Sequence, residues 1–129
     1  MPGPYTVAKL TEVEDSAPKF GMSELQEARF ANDDLEVERT GVSFLRVHAG
    51  KRQGFGHKHD HAEEVYVVLS GNGRLKLDGE ILEVEPLDAI RVAPGVTRQF
   101  EAGAEQLEVL AFGPRHKGDG EIVQDWWTD

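Results

Sequence analysis

The sequence predicts an all-β domain, a two-sheet sandwich or closed barrel, and three observations carry that expectation. Short apolar or alternating runs recur at roughly 8–12-residue spacing from about residue 40 onward, each ended by turn residues. No convincing helical period separates them. The chain has 129 residues and no cysteine, which allows one domain and requires a core held without disulfides. At this length folding buries roughly two-thirds of the unfolded surface, so such a core is feasible.

Residues 1–40 are expected to form an irregular N-terminal extension packing on the barrel or on a dimer partner. Pro2, Pro4 and Pro18 interrupt any long element. Ser23 followed by Gln26 fits a capping box, which predicts one short helix over Ser23–Arg29. The barrel is expected over 41–113. Val42–Val47 is its first strand, closed by Ala49 and Gly50, and Gly54, Phe55 and Gly56 lead toward the strongly apolar run Glu64–Leu69. Arg74–Leu77 alternates, Asp78 and Gly79 give a type I′ hairpin signal, and Ile81–Val84 returns. Asp88–Val92, Thr97–Phe100 and Leu107–Phe112 complete the set, with Pro94 and Gly95 turning between the first two. Residues 114–129 form a tail. Its Trp126 and Trp127 each carry up to about 250 Å²; they are expected on the outside of the barrel or at a dimer seam, with a lid over a pocket mouth as the alternative.

Charge removes several classes of function. Fourteen Lys and Arg stand against 24 Asp and Glu, a formal charge of −10, which repels phosphate backbones and anionic lipid. Neither nucleic acid nor membrane is expected as a partner. The longest apolar run, Val65–Leu69, is far below the roughly 20 residues a span needs. The N-terminus has no signal-peptide character, so a cytoplasmic protein is expected.

Chemistry concentrates in one place. Of five histidines, His57, His59 and His61 fall within five residues, while His48 and His116 lie apart, His48 at a strand end and His116 in an exposed turn. In extended chain, residues i and i+2 point to one side, so His57 and His59 can present imidazoles to one point. Glu64, opening the next strand, adds a carboxylate. Two imidazoles and one carboxylate form a facial triad suited to Fe(II) and acceptable to Mn, Ni or Zn. The competing reading is a polar, His-rich surface loop. The pattern His57-x-His59-x4-Glu64-x6-Gly71 arises by chance only about 0.002 times in such a chain.

That pattern resembles motif 1 of the cupin superfamily, over about residues 42–112. The resemblance implies a double-stranded β-helix, or jelly-roll barrel. The family's leading glycine, five residues clear of the first histidine, falls on Lys51, one position from Gly50. Motif 2 is degenerate: its register falls on Leu87, Ala93, Gly95, Arg98 and Ala102, of which only Gly95 matches. Arg98 stands where the family's last metal-binding histidine would be, and a guanidinium cannot ligate. At about 5 Å from a divalent cation it would be repelled by roughly 7 kcal/mol at an effective dielectric of 20.

Three arrangements reconcile Arg98 with the triad. It anchors an anionic ligand group such as a carboxylate beside a metal held by His57, His59 and Glu64; or it pairs with Glu64 and no metal binds; or His61, in parity with His59, or His48 becomes a replacement ligand. Tyr66 and Val68 share parity with Glu64, and Phe100 with Arg98, so all should face the barrel interior. Tyr66 is then a hydrogen-bond donor to substrate, and Val68 and Phe100 pack the core. Gln53 lies near the site, and Gln99 has the wrong parity to face it. The resemblance implies dioxygenase- or isomerase-like action on a small molecule with a divalent metal ion (Fe, Mn, Ni or Zn), or a non-catalytic, metal-free small-ligand-binding module. It also implies a homodimer.

Overall fold

The structure is a computed structural model that describes residues 3–115 and 117–129. Ten strands run β1 Gln26–Phe30, β2 Thr40–Val47, β3 Gly56–His59, β4 Glu64–Ser70, β5 Gly73–Leu77, β6 Glu80–Val84, β7 Ala89–Val92, β8 Arg98–Ala102, β9 Leu107–Pro114 and β10 Gly120–Val123. A single-turn helix α1 covers Asn32–Leu35, and 3₁₀ turns cover Leu10–Glu12 and Ala17–Phe20. The strands form two five-stranded antiparallel sheets, ordered β1-β2-β9-β4-β7 and β10-β3-β8-β5-β6. Apart from the consecutive pairs β1–β2 and β5–β6, neighbours in each sheet are distant in sequence, as a double-stranded β-helix requires. Among the described residues no helix is long and apolar enough to cross a membrane.

Each predicted strand from Val42 to Phe112 is present, with ends shifted by a few residues. The inward positions build one core: Leu45 and Val47 on β2, Tyr66 and Val68 on β4, Leu75 on β5, Phe100 on β8 and Leu107 and Val109 on β9. Period-two alternation explains this, since one face of each sheet looks at the other. The β5–β6 hairpin also falls where expected, with Leu77 opposite Glu80. Its turn is not type I′, because Asp78 alone adopts positive φ, at 50°. Asp78 is held there from outside: its N–H donates to the Thr97 carbonyl and its carboxylate accepts from the Thr97 N–H. Gly71, the last residue of the histidine motif, has φ 78°, and a Cβ there would run into the Gln106 carbonyl.

The short helix expected over Ser23–Arg29 is not formed. Most of that stretch is β1, which pairs in register with β2 so that Ala28 faces Leu45 and Gln26 faces Val47. Tertiary pairing overrides a weak local helix signal here, since a seven-residue helix has no stability of its own. The tail also contributes: β10 pairs with β3, placing Gly120 opposite His59 and Ile122 opposite His57. Beyond it the tryptophans lie against the second sheet. Trp127 is buried, with the Arg52 guanidinium 4.2 Å and the Arg74 guanidinium 5.3 Å from its ring centroid. Lys76 sits 4.7 Å from the ring of Trp126. His116, expected in an exposed turn, lies outside the described residues.

Candidate functional site

The site is assembled by three neighbouring strands of two sheets. On β3, His57 and His59 present their rings side by side, centroids 5.5 Å apart. On β4, Glu64 and Tyr66 point the same way, and on β8 Arg98 lies opposite His57 in register. His57 Nε2 and His59 Nε2 lie 3.7 and 3.6 Å from Glu64 Oε1. Among the described residues these three form the one group of acidic and imidazole side chains whose donor atoms all fall within 4.8 Å of one another.

Arg98 is the largest fully buried side chain in the protein. Its Nη2 donates to Glu64 Oε1 at 3.1 Å, its Nε to the Tyr66 hydroxyl at 3.0 Å, and its Nη1 to the Val96 carbonyl at 2.6 Å. The Tyr66 hydroxyl in turn donates to Glu64 Oε1 and lies 3.2 Å from His57 Nε2. Such a network satisfies a buried cation and a buried carboxylate together, as burial of either demands. The electrostatics follow. Burial opposes the charge of Glu64, but the His57 and His59 rings beside it and the hydrogen bond from Tyr66 hold its carboxyl well below the usual range. Burial pushes His57 down from its ordinary value, against the pull of Glu64 and with the nearby Arg98 charge adding to it. Burial, joined by the Glu64 charge, pushes the Tyr66 phenol up.

A cavity of about 380 Å³ opens onto this network, within the range of small-molecule sites. His57, His59, Glu64 and Tyr66 form its polar end, and its walls are largely apolar, with Phe30, Phe55 and Leu45 among them. Arg98 does not line it. The expected anchor for an anionic ligand group is therefore corrected: the guanidinium sits behind Glu64 and Tyr66 and is wholly enclosed.

His61 is not brought into the cluster either. Its side chain is exposed, and its main-chain N–H donates to Asp119 Oδ1 at 2.9 Å, which turns the chain away after His59. His48 lies outside the cluster as well, with Nδ1 3.2 Å from the Glu24 carbonyl. Two residues that sequence reasoning missed take part instead. Asp119, almost completely buried, holds the 60–62 loop by accepting from the N–H groups of His61 and Ala62, and its Oδ2 lies 3.5 Å from His59 Nδ1. Gln26, on the strand mistaken for a helix, lines the cavity wall. Neither carries a motif; both arrive through pairing between segments remote in sequence.

The donor set fits a divalent metal ion. Two imidazoles and a carboxylate converge, burial favours the neutral His57 ring, and the far nitrogen of His59, buried without a hydrogen-bond partner, has the Asp119 carboxylate 3.5 Å away. Arg98 sets a condition. Its charge already cancels that of Glu64, so the carboxylate would lend a divalent cation little net charge compensation.

Comparison with known proteins agrees with this architecture. The family described as "Cupin domain" matches residues 43–113. An uncharacterized protein of Methanocaldococcus jannaschii is 35% identical over 71 residues, spanning 53% of this chain and 57% of that relative's length. Among solved structures, a cupin protein from Bacteroides fragilis superimposes with a TM-score of 0.71 at 24% identity, covering 99% of each chain. The polyketide cyclase RemF from Streptomyces resistomycificus does so with a TM-score of 0.74 at 21% identity, covering 96% of this chain and 87% of its own.

Proposed function

Because this chain belongs to the cupin domain family, we propose that it binds a small organic molecule in the barrel cavity and acts on it at the His57–His59–Glu64 end. The observation that carries this reading is the convergence of both imidazoles on one buried carboxylate at the floor of a largely apolar cavity. Enzymes among solved structures of the same fold, the polyketide cyclase included, support it. His57, His59 and Glu64 would hold a divalent metal ion. Such an ion supplies Lewis-acid polarisation of a substrate oxygen, the setting for the isomerase- or dioxygenase-like chemistry expected from the sequence.

The rest is done by the protein's own groups. Tyr66 and Arg98 hold Glu64 ionised and fixed in direction, Asp119 fixes the 60–62 loop beside His59, and the apolar walls exclude water from the reacting end. Arg98 is in this reading a positioning residue. A second reading, a metal-free binding module, is favoured by one observation: the Arg98–Glu64 pair already neutralises the carboxylate.

Elemental analysis of protein purified without chelator or metal column decides between them. Near-stoichiometric metal, lost in His59→Ala, is the expected result. No metal in either protein, even after incubation with Fe(II), Mn(II), Ni(II) or Zn(II), leaves the binding module. The homodimer belongs to the same proposal. The outer face of the first sheet, where Leu69 and Phe112 are exposed, would seat it; light scattering that returns a monomer mass at micromolar concentration rejects it.

A further inference from the structure

Three side-chain amides line the cavity, and each has its oxygen already engaged. Gln26 Oε1 accepts from the Gly54 N–H at 2.8 Å, Gln53 Oε1 from the Phe100 N–H at 2.9 Å, and Asn32 Oδ1 from the Val42 N–H at 2.9 Å. Only the oxygen end of an amide can meet a backbone N–H, so the network itself settles which way each amide points. What each has left is an NH₂ group. Among the described residues nothing accepts a hydrogen bond from Gln26 Nε2, Gln53 Nε2 or Asn32 Nδ2. Gln26 and Gln53 are otherwise buried residues, so these NH₂ groups are what they leave open to an acceptor.

The amides are thus a donor-only region facing an otherwise apolar space. The Gln53 N–H donates to the Phe100 carbonyl, two residues along β8 from Arg98, and the amides and the imidazole–carboxylate end line one and the same cavity.

The charge of the missing group is also constrained. Among the described residues the one buried cation near the cavity, Arg98, is enclosed and committed to Glu64 and Tyr66. Glu121 adds an acidic side chain to the lining, and the chain as a whole carries −10. Neutral donors in a negative protein receive a carbonyl oxygen better than a carboxylate.

Resting on the reading that the cavity holds a small molecule, we propose that its ligand is a neutral carbonyl compound: a compact, mainly apolar molecule whose carbonyl oxygen accepts from the Gln26 and Gln53 amides while its other polar substituent meets Glu64, Tyr66 and His57. Asn32, less buried, offers the same donor nearer the mouth.

Three phenols of matched size test this by titration calorimetry: 4-hydroxyacetophenone, 4-ethylphenol and 4-hydroxybenzoate. The ketone is expected to bind about fivefold to tenfold tighter than 4-ethylphenol, the yield of one well-made hydrogen bond, and tighter than the benzoate. In the double variant Gln26→Glu, Gln53→Glu, measured at pH 8, each carboxylate still accepts from its backbone N–H but the amide donors are gone, and the preference for the ketone should vanish. Gln53→Met, which keeps side-chain length without any donor, should reduce it; thermal melts confirm that each variant folds. Equal affinity for ketone and 4-ethylphenol, an undiminished preference in the variants, or tighter binding of the benzoate overturns this inference and leaves the cavity reading intact. If none of the three binds, the cavity reading falls and this inference with it.

Discussion

Strand β8 carries an ion-pair network on each of its faces, and the two differ in what surrounds them. Inside the barrel, Arg98 and Glu64 pair with side-chain exposures of 0% and 17%. Outside, Glu101 is clasped by Arg52 at 2.6 Å and Arg74 at 2.8 Å, with Arg74 43% exposed. Trp127 supports both outer arginines from the tail. Water can replace any one of the outer hydrogen bonds. Arg98 is wholly enclosed, and no solvent stands ready to replace a partner it loses. Environment, more than the number of contacts, decides which arginine is indispensable.

The comparison can be broken most directly at Arg98. Arg98→Met keeps comparable volume but strips Glu64 and Tyr66 of their cation, and should cost about 3 kcal/mol of folding stability, at the lower end for a broken buried pair because Glu64 keeps its other partners. Urea unfolding measures it, and adding Glu64→Gln should return part of the loss. A loss no larger than that of an outer-face variant would refute the distinction drawn here. Glu101→Gln is that outer-face variant. It should cost roughly a third as much or less, and the cost should shrink further in 1 M salt.

Acid unfolding sharpens the same contrast with the smallest expected effect. Hydrogen bonds, from Arg74 first, hold the Glu101 carboxyl below its ordinary 4.5, against a weaker push upward from burial. A carboxyl depressed in the folded state lends stability above its unfolded pKa and loses it as pH falls through the folded one. Stability should therefore decline below about pH 4.5 in the wild type. Glu101→Gln should lower the plateau above pH 6 by its modest cost and so flatten that acid limb; an unchanged plateau and acid limb would mean that the outer pairs contribute nothing.

Legibility followed locality. His57, His59, Glu64 and Gly71 lie within one 15-residue stretch, where strand parity puts the two imidazoles on one side and the motif adds Glu64 at the start of the next strand. The facing of the two sheets then brings the carboxylate to the imidazoles. Tyr66, Val68, Phe100 and Arg98 were placed inward by the same parity, and all four are buried. Parity says nothing of depth, however. It could not tell an arginine facing a cavity from one sealed behind its partners.

What the amino-acid sequence determined by itself was the all-β class, the order of the strands from Val42 to Phe112, and the identity of the imidazole–carboxylate cluster, because each is written in alternation and short spacing. Only the tertiary structure decided that Gln26–Phe30 is a strand, that β10 lies beside the histidines and brings Asp119 to His59, and that Arg98 turns to Glu64 instead of the cavity. Each of these depends on pairing between segments tens of residues apart. Such pairings are chosen by the burial and hydrogen bonding of the whole barrel, for which no local run of residues carries the information.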